Sequence, residues 1–217
     1  MNDFLQNFAL SLPGFLFAIV IHEWAHAYVA HLFGDDTAAM SGRLTLNPMA
    51  HYDLMGTIIF PLFGAMMGGL MFGWAKPVPV DPRRFRNVKW GIFGVSFAGP
   101  LANIIMAVLC AFGVAAVATF VPESFSLKMT FMLMFRQAIF INLILAVFNL
   151  IPFPPLDGSK MVSTFLDYQA ARKYEDLARY SFVFIILLWT TNIFSYLMRP
   201  AIAFGNELMS VFVSVLS

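Results

Sequence analysis

Ionisable residues inside a long apolar run are the feature that most constrains how this chain can fold. Residues 4–33 carry almost no charge, and a helix over this run would be about 45 Å long, enough to cross a bilayer. His22, Glu23 and His26 lie within it. Ionisable side chains are costly inside a membrane, so the default interpretation of such a cluster is a functional site. The run therefore predicts a membrane helix that carries chemistry.

The composition supports insertion of the whole chain into a membrane. The sequence is 60% hydrophobic and 12% charged, whereas ordinary soluble domains are roughly 45–50% apolar and about 25% charged. The first ten residues lack the basic stretch of a cleavable signal peptide. A net charge of +1 without a basic tract gives no sign of a nucleic-acid partner. We therefore expect a multi-pass protein of the cell membrane, with the lipid bilayer as its main environment.

The predicted fold is an all-α polytopic membrane protein with about five to six membrane helices. Firm spans are predicted at residues 4–33, 89–120, 130–151 and 180–198. Pro200 is expected to end the last of these, and residues 201–217 predict either a short last span or an interfacial helix.

Two irregular segments are expected between the first and second firm spans. Within residues 37–53, apolar and polar residues alternate from Met40 to Asn47, which predicts a short β-hairpin. Residues 54–73 are apolar but interrupted by Pro61 and several glycines. Such a segment favours a re-entrant path that is buried in protein or lines a wet cavity.

Lys and Arg residues concentrate in two loops and predict the orientation of the chain. Residues 76–89 contain five of them and residues 159–179 contain four, whereas residues 121–130 contain only Lys128. Positive residues mark the cytoplasmic side, so both rich loops are predicted there. If residues 54–73 do not cross the membrane, the first helix runs inward and places its two histidines roughly 10–16 Å from the cytoplasmic helix end.

Residues 22–26 read H-E-x-x-H, a pattern that suits a metal ion. On a helix, His22 and His26 are one turn apart on the same face and can share one ion, with Glu23 close enough to reach a water molecule beside it. Catalytic zinc usually has three protein ligands. Asp157 is the better third candidate because it follows a run of prolines that can turn a carboxylate back into the bundle, and a carboxylate with two imidazoles suits zinc.

Other polar residues are weaker ligand candidates. His31 lies about 140° away from His26 around the helix, so it is poorly placed to share the ion. His51 and Asp53 belong to the polar segment after the first span, where turn formation is the more common role of such residues.

Several motifs together resemble the site-2 protease family of intramembrane zinc metalloproteases. They are His22-Glu23-x-x-His26, Asn149-Leu150-Ile151-Pro152, Leu156-Asp157-Gly158 and the G-P-x-x-N stretch Gly99-Pro100-x-x-Asn103. Residues 42–48 and 73–80 are similar to the compact bacterial and archaeal branch, which has no PDZ or CBS domains. The resemblance covers roughly residues 10–160. It implies one membrane-embedded metalloprotease domain over residues 1–217, with a core at about 4–160.

The resemblance also implies the residue roles. His22, His26 and Asp157 would hold zinc, and Glu23 would act as the general base and then the acid of peptide hydrolysis. Asn149 would contact the substrate backbone or stabilise the oxyanion, although an interhelical hydrogen bond is an alternative role. Asn103 is a second substrate-binding candidate, balanced against helix packing. The substrates would be the transmembrane segments of single-span membrane proteins.

Two alternatives remain open from the sequence. One is a membrane metal-binding protein or transporter without proteolytic activity, which an intact Glu23 disfavours because zinc binding alone does not need it. The other is a different membrane zinc protease that uses a downstream Glu ligand. Glu175 is the polar candidate for that role, but no motif surrounds it.

Overall fold

The structure is a computed structural model that describes residues 2–66 and 73–216. In chain order its α-helices are α1 (Asn2–Leu32), α2 (Thr37–Met40), α3 (Phe60–Met66), α4 (Val88–Phe120), α5 (Lys128–Leu150), α6 (Asp157–Ser163), α7 (Tyr168–Glu175), α8 (Ser181–Thr190) and α9 (Ile193–Leu216). Short 3₁₀ turns occur at Pro48–Ala50, Pro82–Arg84 and Asp176–Tyr180, and a π-helical turn at Leu54–Ile59 leads into α3.

The prediction of five to six membrane helices was wrong. Within the described ranges, α1, α4 and α5 are long and apolar enough to cross a membrane, and a fourth span results only if the bent pair Tyr168–Leu188 and Ile193–Leu216 is counted as one. The two parts of this pair meet at 76°. The break falls at Thr191 rather than at Pro200, which lies inside α9. Thr190 and Thr191 bond their hydroxyls to carbonyls four residues earlier, a contact that bends helices.

The predicted β-hairpin at residues 37–53 was also wrong, because this segment contains no strand. The chain forms α2 and then turns at Gly42, whose φ of 67° is left-handed. Asn47 caps the next 3₁₀ turn by accepting from the Met49 N–H at 3.1 Å. Met40 and Leu46 are exposed, so the alternating pattern has no buried face. Local side-chain bonds to the backbone compete with strand pairing here.

The apolar segment that follows starts and ends at one place. The Trp74 N–H donates to the Gly56 carbonyl at 3.0 Å, and the Thr57 hydroxyl donates to the Trp74 carbonyl at 3.3 Å. A Cβ on Gly73 would lie 2.1 Å from the Gly56 carbonyl oxygen, so this approach requires glycine. The chain therefore leaves and returns at the same level of the molecule. The predicted re-entrant path of residues 54–73 includes residues 67–72, which lie outside the described residues.

Small side chains bring the spans close together. The main core cluster joins α4, α5 and α9 through Ala107, Ala111, Ala138 and Ala201, with Ile139 fully buried among them. Small residues at helix interfaces allow the close backbone approach that membrane helices need, because apolar burial gives little drive for association in lipid. Large side chains point outward instead, as a lipid-facing surface requires: Phe17, Ile105, Leu109 and Phe112.

One end of the bundle is tied together by main-chain contacts. The Arg86 N–H donates to the Phe33 carbonyl at 2.9 Å, just beyond the end of α1. The buried carboxylate of Asp35 accepts from the Asp81 N–H at 2.7 Å and from both donors of Thr37. The end of α1 and the start of α4 therefore lie side by side, at the end of the bundle where α5 also finishes.

Candidate metal centre

His22 and His26 place their Nε2 atoms at one point inside the bundle. Each Nε2 lies 3.1 Å from the same carboxylate oxygen, Oδ2 of Asp157. The two imidazole planes are nearly perpendicular, at 88°, with centroids 4.6 Å apart. All three residues are buried, and they form the metal-ligand cluster that the structure contains among its described residues. The helical spacing of four brings the two rings to one face, as a 3.6-residue turn dictates.

Asp157 reaches this point because the chain reverses after α5. It is the first residue of α6, which follows the proline-rich stretch 152–155. A Cβ on the next residue, Gly158, would lie 2.3 Å from the Leu150 carbonyl oxygen, so the turn admits only glycine. The turn therefore brings the buried Asp157 carboxylate to the two imidazoles.

The other nitrogen of each ring is engaged by an acceptor. His22 Nδ1 lies 2.6 Å from Oδ1 of Asn103, and His26 Nδ1 lies 2.7 Å from the Val95 carbonyl oxygen. A carbonyl oxygen can only accept, so each Nδ1 carries a proton, and in the neutral imidazole this leaves the lone pair on Nε2. Metal-binding histidines in proteins are commonly oriented in this way by a hydrogen bond to the second nitrogen.

Gly99 on α4 makes room for the two rings. A Cβ at this position would lie 2.6 Å from His22 Cε1 and 2.7 Å from His26 Cε1. Any larger residue would push both imidazoles away from Asp157. This glycine belongs to the G-P-x-x-N motif, but its steric role depends on how α1 packs against α4 and follows only from the structure.

Glu23 lies beside the cluster and faces a cavity. Its Oε2 accepts a hydrogen bond from the Val78 N–H at 2.8 Å, which orients the carboxylate. The cavity has a volume of about 350 Å³ and is lined by His22, Glu23 and Asn149 together with mostly apolar side chains from α1, α5 and α8. One metal-ligand candidate, the proton-transfer candidate and one substrate-binding candidate therefore border the same cavity.

The two predicted asparagines occupy different environments. Asn149 lines the cavity and donates one amide N–H to the Leu145 carbonyl at 3.0 Å, which leaves its second N–H for a ligand. Asn103 is fully buried beside His22 and does not line the cavity. A third asparagine, Asn142, donates to the Ala138 carbonyl and accepts a hydrogen bond from Asn103.

The weaker ligand candidates lie away from the cluster. His31 pairs with Asp36 on the surface, and His51 contacts the Thr45 carbonyl through Nε2 at 2.8 Å. Asp53 caps the turn at Leu54 by accepting from the Gly56 N–H at 2.7 Å.

The donor set fits zinc. It consists of two neutral imidazole nitrogens and one carboxylate oxygen, which are the ligands of many catalytic zinc sites. Two donors that are each about 2.0–2.1 Å from a tetrahedral ion lie roughly 3.3 Å apart, close to the 3.1 Å separations from Asp157 to both histidines. Three ligands leave a fourth position for water or substrate, as a catalytic site requires.

Comparisons with known proteins agree with zinc as the metal. A family model described as Peptidase family M50 matches residues 114–189. The chain is 37% identical to the Bacillus subtilis (strain 168) protein named "Putative zinc metalloprotease YwhC" over 95% of this chain and 94% of that protein. It is 29% identical to "Putative zinc metalloprotease Rip2" of Mycolicibacterium smegmatis, over 87% of this chain and 70% of that protein. No solved structure matches the chain. The site-2 protease family predicted from the motifs is thus confirmed, and the chain belongs to peptidase family M50.

Proposed function

We propose that this chain is a site-2-protease-type intramembrane zinc endopeptidase that hydrolyses peptide bonds within or near the transmembrane helices of single-span proteins. Membership of peptidase family M50 makes it a metalloprotease of the membrane. The observation that carries the finer proposal is the convergence of His22, His26 and Asp157 on one point beside Glu23, at the edge of an apolar cavity. All residues from 1 to 217 are taken as one such domain.

Zinc held by the three ligands would supply Lewis acidity that makes water nucleophilic near neutral pH. Glu23 takes a proton from the attacking water while the water oxygen bonds to the scissile carbonyl carbon. It then gives this proton to the amide nitrogen as the C–N bond breaks. The free N–H of Asn149 donates to the carbonyl oxygen, which becomes negative in this step. The Val78 N–H keeps Glu23 turned toward the cavity.

An intact helix hides its carbonyls, so the substrate must unwind locally before hydrolysis. The cavity offers support for an unwound segment. Ala75 borders it, is 5% exposed, and has neither its N–H nor its C=O bonded to another residue that the structure describes. An extended substrate can pair with these two groups by strand addition. The apolar walls suit the side chains of a membrane segment.

The active site is proposed to open toward the cytoplasm. His26 lies six residues before the end of α1 and His22 lies ten, which places them roughly 9–15 Å inside the bundle at 1.5 Å per residue. The loops around residues 81–87 and 151–157 lie at this same end, next to the two Lys- and Arg-rich segments. Water can reach that depth through the polar groups of these loops.

The test is cleavage in reconstituted vesicles. A tagged single-span protein with a helix-weakening residue in its span serves as the substrate for the intact chain and for the His22→Ala/His26→Ala double variant. The intact chain should cleave it and bind about one zinc per chain, and the double variant should do neither. Zinc binding without cleavage of any tested span would instead favour a metal-binding protein or transporter.

A further inference from the structure

A chain of buried polar side chains crosses three spans and ends on the metal centre. It begins at Asn142 on α5, passes through Asn103 on α4 and reaches His22 on α1. The Asn103–Asn142 contact is 2.9 Å and the Asn103–His22 contact is 2.6 Å. Asn103 is 0% and Asn142 1% exposed. Neither asparagine borders the cavity, so neither can touch a substrate there.

Two main-chain carbonyls fix the direction of every hydrogen bond in this chain. The Ala138 carbonyl accepts from Nδ2 of Asn142 at 2.8 Å, so the Oδ1 of Asn142 must face Asn103. Nδ2 of Asn103 donates one hydrogen bond to this oxygen and another to the Ala18 carbonyl at 2.9 Å. Both donors of Asn103 are then used, and its Oδ1 is left facing His22.

The consequence for His22 is a single tautomer and a single ring orientation. Its Nδ1 faces an oxygen that can only accept, so Nδ1 carries a proton, and the neutral ring then presents a bare Nε2 toward Asp157. His26 reaches the same state differently, because its Nδ1 faces the Val95 carbonyl, a main-chain group held by α4. Of the two histidines, only His22 has its orientation set by other side chains.

We infer that Asn103 and Asn142 are positioning residues that act in series to hold His22 as an Nε2 zinc ligand. The inference rests on the proposed zinc site. Both residues also join helices, and a purely structural role would affect only the stability of the bundle. The positioning role adds a specific effect on metal affinity, since second-layer partners of metal-binding histidines typically contribute about 10–100-fold to affinity.

The experiment measures zinc affinity of the full chain in detergent by competition with a chelator, alongside the thermal midpoint of the metal-free protein. Asn103→Leu removes the acceptor and should weaken zinc binding about 10–100-fold. Asn142→Leu removes one of the two acceptors that hold Nδ2 of Asn103 and leaves the Ala18 carbonyl as the other, so a smaller loss of affinity is expected. Asn103→Asp should hold zinc much better than Asn103→Leu, because a carboxylate oxygen can still accept from Nδ1, although the metal-free protein loses two donors and some stability.

Ser11→Ala is the matched control. The Ser11 hydroxyl donates to Gln137 Oε1 and so joins α1 to α5 away from the metal centre. Its loss should lower the thermal midpoint and leave zinc affinity unchanged. Wild-type affinity in both Asn103→Leu and Asn142→Leu would overturn the inference, as would an equal loss in Ser11→Ala. If Asn103→Leu fails to fold, the zinc affinities of Asn142→Leu and Asn103→Asp decide whether the asparagines position His22. His22→Ala separates the two proposals, because unchanged zinc in that variant refutes the zinc site itself.

Discussion

At the residue scale, the proposed chemistry depends on Glu23 more than on any other side chain outside the proposed ligand set. Glu23→Gln keeps the shape of the side chain but cannot take a proton from water. We expect zinc content to stay near one per chain while cleavage falls roughly 10²–10⁴-fold, the usual contribution of one acid–base residue. Metal analysis and vesicle cleavage of the same preparation check both parts. Full activity in Glu23→Gln would exclude hydrolysis at this site.

Asn149 should have a smaller effect than Glu23. Its amide lines the cavity and keeps one N–H free, so Asn149→Ala is expected to slow turnover without loss of zinc, because an oxyanion donor contributes to the transition state only. The measurement is the rate of single-turnover cleavage with excess enzyme. An unchanged rate would leave Asn149 with only its hydrogen bond to the Leu145 carbonyl, which lies within α5 and is not the interhelical bond considered from the sequence.

Gly99 tests the geometry of the metal centre without changing any polar atom. Gly99→Ala places a methyl group 2.6 Å from the ring of His22, so the rings must move and zinc should be lost. Gly113→Ala is the control on the same helix. Its Cβ would meet only the ring of Phe135, at 3.0 Å, and zinc content should be retained. Equal zinc in both variants would show that the rings can move aside without cost to metal binding.

At the element scale, the link between α1 and the segment before α4 depends on Asp35. Burial by itself would raise the pKa of Asp35, but hydrogen bonds from Thr37 and from the Asp81 N–H outweigh it and hold the pKa below its ordinary value. The charged carboxylate therefore stabilises the folded state at pH values above its pKa in the unfolded chain, which is about 3.9. This stabilisation is lost as the pH falls through the lower folded pKa.

Asp35→Ala should destabilise the protein by about 1–3 kcal/mol at neutral pH, because buried donors lose their acceptor. The difference from the unsubstituted chain should shrink as the pH falls below about 4, because Asp35 takes up a proton there in the unfolded chain and only at lower pH in the folded chain. Thermal unfolding in detergent across pH measures both effects. Asp36→Ala, which removes an exposed neighbour, should have little effect. A difference that is constant with pH would contradict the assigned role of the charge.

The elements that could be predicted from sequence are those whose hydrogen bonds are local. The runs 89–120 and 130–151 correspond to Val88–Phe120 and Lys128–Leu150, because a membrane helix satisfies its own backbone and needs only an apolar run. The hairpin prediction failed because alternation at residues 40–47 reflected no buried face. The chain through Asn103 and Asn142 could not be derived either, since it depends on how three helices rotate about their axes.

At the scale of the whole molecule, the apolar spans and the position of the site inside them set the requirements for access. The metal centre lies beside one end of α1, and the apolar outer surface of the spans is suited to lipid. In the proposed function, a substrate helix would approach from within the membrane and water from the nearer end. If that end is cytoplasmic, the enzyme releases its product on the side where the Lys- and Arg-rich loops lie.

The orientation can be tested with single cysteines in a Cys110→Ala background. Arg83→Cys and Arg172→Cys report on the two basic segments, and Ser124→Cys reports on the connection between α4 and α5; all three positions are exposed. Because Lys and Arg mark the cytoplasmic side, an impermeant thiol reagent added to intact cells should label only Ser124→Cys. The two arginine positions should react only after the membrane is opened. Labelling of either arginine position from outside would show that the chain has the opposite orientation. The catalytic water would then have to enter from the extracytoplasmic side.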